Sequence, residues 1–90
     1  MKKIMTEQYP YQRVCWHSRR GMLELDLALV PFVEHVYPSL SFEEQAIYRR
    51  LLTCEDTQLF DWVLQKKVPE DKDLANIMEK IIAYAKSPEV

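Results

Sequence analysis

The sequence predicts an all-α protein: a small five-helix bundle folded as a single domain. Apolar residues recur at helical spacing along most of its 90 residues, and the period-two alternation of a half-buried strand never persists. The segment from Met22 to about Tyr37 is apolar nearly all round, a pattern that belongs at the centre of a bundle. Length sets the scale, because a chain this short buries about 60–65% of its unfolded surface, enough for one modest core.

Each element follows in order. Pro10 opens a first helix carrying Tyr11, Val14, Cys15 and Trp16, which runs to about Arg19. The second, Met22 to Tyr37, contains Pro31, which should kink or split it, and Pro38 ends it. The third begins at Ser41, whose Glu44 three residues on makes a capping box, with Phe42, Ala46, Ile47, Leu51 and Leu52 on one broad face. A short fourth helix fits Asp56 to about Gln65, with Leu59, Phe60, Val63 and Leu64 on one side and Trp62 on another. Pro69 and the acidic start Glu70-Asp71-Lys72-Asp73 introduce the fifth, where Leu74, Ile77, Met78, Ile81, Ile82 and Ala85 keep the helical period.

Composition narrows the function classes. With 48% hydrophobic residues the chain is not a disordered tail, and a net charge of −2 argues against binding driven by phosphate neutralisation. The basic candidates for a nucleic-acid helix-turn-helix, Arg49, Arg50, Lys66 and Lys67, are scattered. The longest apolar stretch, Leu27 to Val33, falls far short of the ~20 residues of a membrane span. No apolar run follows Lys2-Lys3, so no signal peptide is expected, and the two cysteines are read as reduced thiols. A zinc site from Cys15, His17, His35 and Cys54 is disfavoured, since residues two apart on a helix point about 200° away from each other. His35 near a helix C-terminus is explained by the dipole.

The informative feature is the only glycine, Gly21, within Arg19-Arg20-Gly21-Met22-Leu23-Glu24-Leu25-Asp26. A structural reading makes it a helix–helix corner. Gly21 would end the first helix in the left-handed conformation and cap the second, placing Glu24 at N3 against unpaired N–H groups, with both arginines solvated. A docking reading uses the same residues differently. A glycine at the apex lets a partner's backbone approach, and two arginine forks beside Glu24 and Asp26 make a compact mixed-charge patch. No residue here is set up as a nucleophile or general base.

Arg13, Trp16 and the run Arg19 to Asp26 resemble the signature of the small assembly factors for succinate dehydrogenase. These promote covalent FAD attachment to the flavoprotein subunit, and bacterial members also act on fumarate reductase. The resemblance continues through Pro31-Phe32, Leu40-Ser41, Tyr48-Arg49-Arg50-Leu51-Leu52, and Asp56 with Leu59-Phe60-Asp61-Trp62, covering about residues 11–85. Members are five-helix bundles of about this size. Two positions depart from the pattern: Ser18 stands where members often have cysteine, and Gln65-Lys66-Lys67 where they tend to have a glycine. The mitochondrial transit extension is missing, which points to a bacterial cytoplasmic member.

The resemblance implies an assembly chaperone without catalytic residues, binding the flavoprotein subunit of succinate dehydrogenase and, as a further client, fumarate reductase. Some members are described as binding FAD themselves, but nothing in this sequence resembles a phosphate-cradling loop, so no stably bound cofactor is expected and the FAD acted on is the one held by the partner. Gly21 is then assigned to close backbone approach, Arg20 and Glu24 to polar contacts, and Arg19 and Asp26 to secondary ones. Trp16, Met22 and Trp62 are expected to support the corner from inside, with partial exposure to the partner as the alternative. The rival reading is a generic protein-interaction module such as an antitoxin-like regulator.

Overall fold

The structure is a computed structural model, and it describes residues 10–65 and 67–86. The N-terminal stretch Met1 to Gln8 and Lys66 lie outside the described residues. Five α-helices follow one another: α1 Tyr11–Ser18, α2 Leu23–His35, α3 Phe42–Leu51, α4 Asp56–Leu64 and α5 Lys72–Lys86. A single 3₁₀ turn, Tyr37–Ser39, links α2 to α3. No strand occurs among the described residues.

The central position of α2 follows from its composition. It packs against α1, α4 and α5, burying Leu25, Ala28, Leu29, Phe32 and Val33. Pro31 does not split it: one helix runs from Leu23 to His35. An interior proline costs about 3 kcal/mol. Four large apolar side chains flanking it, each stabilising by about 1.5–3 kcal/mol on burial, outweigh that. The burial is one-sided, however. Leu23 and Leu27, four residues apart, are 69% and 65% exposed, so the all-round apolar pattern is covered on only part of its circumference.

The helix ends carry the expected chemistry. At α3 the Glu44 N–H donates to Ser41 Oγ at 3.1 Å, and Glu44 Oε1 accepts from the Ser41 N–H at 3.3 Å, closing the capping box. The Ser41 N–H bond, with Lys80 nearby, holds the Glu44 carboxyl below its ordinary pKa. At α5 the acidic start takes a specific form: Asp71 Oδ1 accepts the N–H groups of Asp73 and Leu74 at 2.8 and 3.1 Å and pairs with Arg50 Nη2 at 2.8 Å. The Leu74 N–H and the Arg50 charge lower the Asp71 pKa.

The face of α3 differs from expectation. Tyr48 and Leu51 are buried, whereas Phe42 is 69% exposed and Ala46 is also exposed. At 3.6 residues per turn, the nine positions from Phe42 to Leu51 make two and a half turns, which puts them on opposite sides. Tyr48 instead joins a run of ring contacts, Tyr11–Tyr37–Tyr48–Phe32–Tyr84, with centroid separations of 5.3–6.3 Å. His35 Nδ1 shares a 2.6 Å hydrogen bond with Tyr84 Oη, a tie to α5 beyond the dipole effect expected for it.

Candidate functional site

The candidate site is the corner between α1 and α2. Helix α1 ends at Ser18, whose side chain is committed inward. Its hydroxyl donates to the Val14 carbonyl at 2.9 Å and accepts from the buried Tyr48 hydroxyl at 2.7 Å. Burial pushes the Tyr48 phenol well above its ordinary pKa, keeping this donor protonated. Arg19 is the C-cap in an extended conformation (φ −86°, ψ 116°), its N–H on the Trp16 carbonyl.

Gly21 then turns the chain with φ +80°, the left-handed region that favours glycine. It is neither the residue that closes α1 nor the cap of α2. Met22 is the extended N-cap and has no side-chain acceptor, so Glu24 stands at N2 rather than N3. A Cβ built on Gly21 meets nothing within 4 Å, which leaves the apex open to solvent.

The two arginines have opposite fates. Arg19 is exposed. Arg20, expected to offer its fork to a partner, is turned inward, its side chain only 15% exposed. Nε donates to Asp56 Oδ1 at 2.8 Å, Nη1 to the carbonyls of His17 (2.8 Å) and Leu52 (3.0 Å), and Nη2 to the Cys54 carbonyl (3.0 Å). Four of its five N–H donors therefore face protein oxygens. Its own backbone N–H donates to Asp26 Oδ1 at 2.7 Å. Asp26 is thus the fastener of the turn to α2, and Glu24 is left exposed with no charged partner among the described residues. Beside this anchor, burial raises the Cys54 thiol above its ordinary pKa.

Of the apolar candidates, Met22 and Trp62 are half-buried against the core, but Trp16 is 75% exposed and does not support the corner from inside. Leu23 within the motif and Leu27 one turn further along α2 are likewise uncovered apolar side chains. A groove of about 260 Å³ continues from there between α2, α4 and α5, with Glu24 on its rim and Leu27, Ala28, Val63, Leu64 and Ile82 along it. Sequence reasoning missed Leu23 and Leu27 because an apolar residue in an apolar helix reads as core. It missed the role of Asp56 because nothing local links that residue to Arg20. Among the described residues no cluster of three or more His, Cys, Asp or Glu side chains is placed to hold a metal ion. No helix there is long and apolar enough to cross a membrane.

An all-helical bundle with an open glycine apex, exposed charges of both signs and uncovered apolar side chains has the make-up of a protein-docking domain. Residues 12–85 match the family described as flavinator of succinate dehydrogenase. The chain is 51% identical to the FAD assembly factor SdhE of Pseudomonas aeruginosa over 78 residues, covering 87% of this chain and 93% of that one. It is 50% identical over 78 residues to the same factor of Pseudomonas savastanoi pv. phaseolicola, with the same coverage. The factor of Idiomarina loihiensis is 43% identical over 75 residues, 83% of each chain. The chain belongs to this family of flavinators. That membership supports the assembly-factor reading of the chain and gives no support to the antitoxin-like alternative.

Proposed function

We propose that this protein binds the flavoprotein subunit of succinate dehydrogenase through the α1–α2 corner and promotes covalent attachment of FAD to it. The observation that carries this reading is the corner itself: Gly21 held at φ +80° with open space above it, between exposed Arg19 and exposed Glu24. Trp16, Leu23 and Leu27 supply apolar contact area around that apex, and aromatic anchors of this kind carry much of the energy of protein interfaces. Arg19 and Glu24 supply polar complementarity, while Arg20 and Asp26 act by shaping the turn.

The chain acts as a chaperone and not as the catalyst. In this reading FAD is held by the partner, and the Arg20 fork, turned to carbonyls and Asp56, serves the corner and not a phosphate. Its contribution is to favour the flavoprotein conformation in which the accepting histidine and the flavin are aligned, a proximity effect. A binder shifts such an equilibrium only by its differential affinity. Raising a competent state from about 1% to about half takes a preference of roughly 100-fold, about 2.7 kcal/mol, which one or two interface anchors provide. Fumarate reductase is a second client in this reading, and the bacterial cytoplasm is where the unassembled flavoprotein is met.

Reconstitution tests the reading. Purified apo-flavoprotein and FAD are mixed with and without this chain, and covalent flavin is followed by fluorescence of the denatured flavoprotein. The chain should accelerate its appearance, and equal rates would remove the proposal.

A further inference from the structure

Residues 19–22 lie outside both helices, yet the docking surface depends on the path they take. Arg20 anchors that path at two places: its N–H on Asp26 of α2, and its side chain on the α3–α4 connection. The Leu52 carbonyl belongs to the C-cap of α3, where the helix dipole favours a cation, and the Cys54 carbonyl lies in the connection that follows. Asp56 is the first residue of α4, where the dipole favours an anion. One guanidinium thus meets the negative end of one helix and a carboxylate at the positive end of the next. Asp56 is the only charged partner of Arg20 among the described residues, and it lies 36 positions away in sequence.

The structure assigns Asp56 as a positioning residue for the docking corner: through Arg20 it holds the turn in the shape that presents Gly21 and Glu24. This rests on the docking reading above. Without the Asp56 carboxylate the largely buried Arg20 charge loses its counter-ion and the turn samples other paths. Affinity for the flavoprotein then falls by the fraction of time the turn is misplaced. The rate reached at saturating factor does not change, because the docked geometry is the same once bound.

The experiment uses the full chain and apo-flavoprotein. Binding, covalent-flavin rate against factor concentration, melting temperature and the Gly21 amide NMR shift are measured for wild type, Asp56→Asn, Asp56→Glu, Arg20→Gln and the double variant Asp56→Asn/Arg20→Gln. Asp56→Asn should weaken binding about tenfold or more, the loss that one charge-assisted hydrogen bond carries. It should also move the Gly21 amide signal and leave the maximal rate unchanged. Asp56→Glu should recover part of the affinity, and Asp56→Asn should add little in the Arg20→Gln background. Wild-type affinity in Asp56→Asn overturns the assignment. So does a loss that adds in full to that of Arg20→Gln, which would place Asp56 in direct contact with the partner. If Asp56→Asn does not fold, Arg20→Gln carries the same test, and a wild-type Gly21 signal with wild-type affinity there overturns the assignment. Gly21→Arg separates the two levels: wild-type binding in that variant removes the docking reading itself, whereas loss there with normal Asp56→Asn removes only the positioning role.

Discussion

At Gly21, backbone and surface effects separate cleanly. Left-handed backbone costs a side-chain-bearing residue about 1–2 kcal/mol, and no neighbour lies within 4 Å to add a clash. Gly21→Ala and Gly21→Arg should therefore melt within a few degrees of each other, both somewhat below wild type. Covalent flavinylation in cells should divide them: largely kept with alanine, abolished with arginine. Equal flavinylation would show that the apex is not approached. The need for glycine at this point was legible from its being the only one in the chain. The division of labour between Arg19 and Arg20 was not, because what draws Arg20 inward lies 32 to 36 residues further on. Trp16 was misplaced for a related reason: an aromatic on an amphipathic helix reads as core until the packing shows which face is covered.

Among the elements, α1 is short and depends on one buried polar contact. Ser18→Ala should leave the Tyr48 hydroxyl buried without its acceptor, destabilising by about 1–3 kcal/mol. Ser18→Ala combined with Tyr48→Phe should recover much of that loss in a thermal melt, since neither polar group then remains; failure to recover would mean that Ser18 matters chiefly as the last residue of α1. The elements most legible in sequence were those whose ends are written locally: Ser41 with Glu44, and the acids before α5. Least legible was the facing of α3. There the apolar letters Phe42 and Ala46 fall on the solvent side, and a tyrosine takes the core position. Pro31 also overstates itself in sequence, since local breakage yields to the burial of Leu29, Phe32 and Val33 around it.

For the molecule as a whole, stability should form a plateau bounded by these groups. Glu44 and Asp71 have folded pKa values below their unfolded ones, so their contribution is present above the ordinary carboxylate range, about pH 4, and is lost as pH falls through the folded values. Tyr48 is shifted the other way. Its contribution is complete below about pH 10, where a free phenol ionises, and is lost as pH rises beyond that toward its folded value. Tyr11, whose hydroxyl donates to the Val33 carbonyl at 3.0 Å and is pushed up to about 12 chiefly by the neighbouring Cys15 thiol, adds to the same alkaline edge. Melting temperatures should be nearly level between about pH 5 and 9 and fall on both sides. Glu44→Gln should lower the plateau slightly and flatten the acid edge, and an unchanged acid edge would assign it to other carboxylates. The fastening of Arg20 to Leu52, Cys54 and Asp56 has one more consequence. The signature around Gly21 is not portable. A peptide or graft copying residues 13–26 keeps the Arg20 bonds to Asp26 and His17 but loses those to Leu52, Cys54 and Asp56, and during synthesis the corner is fully fastened only after the start of α4 has been made. A chain that presents this surface has therefore already assembled most of itself.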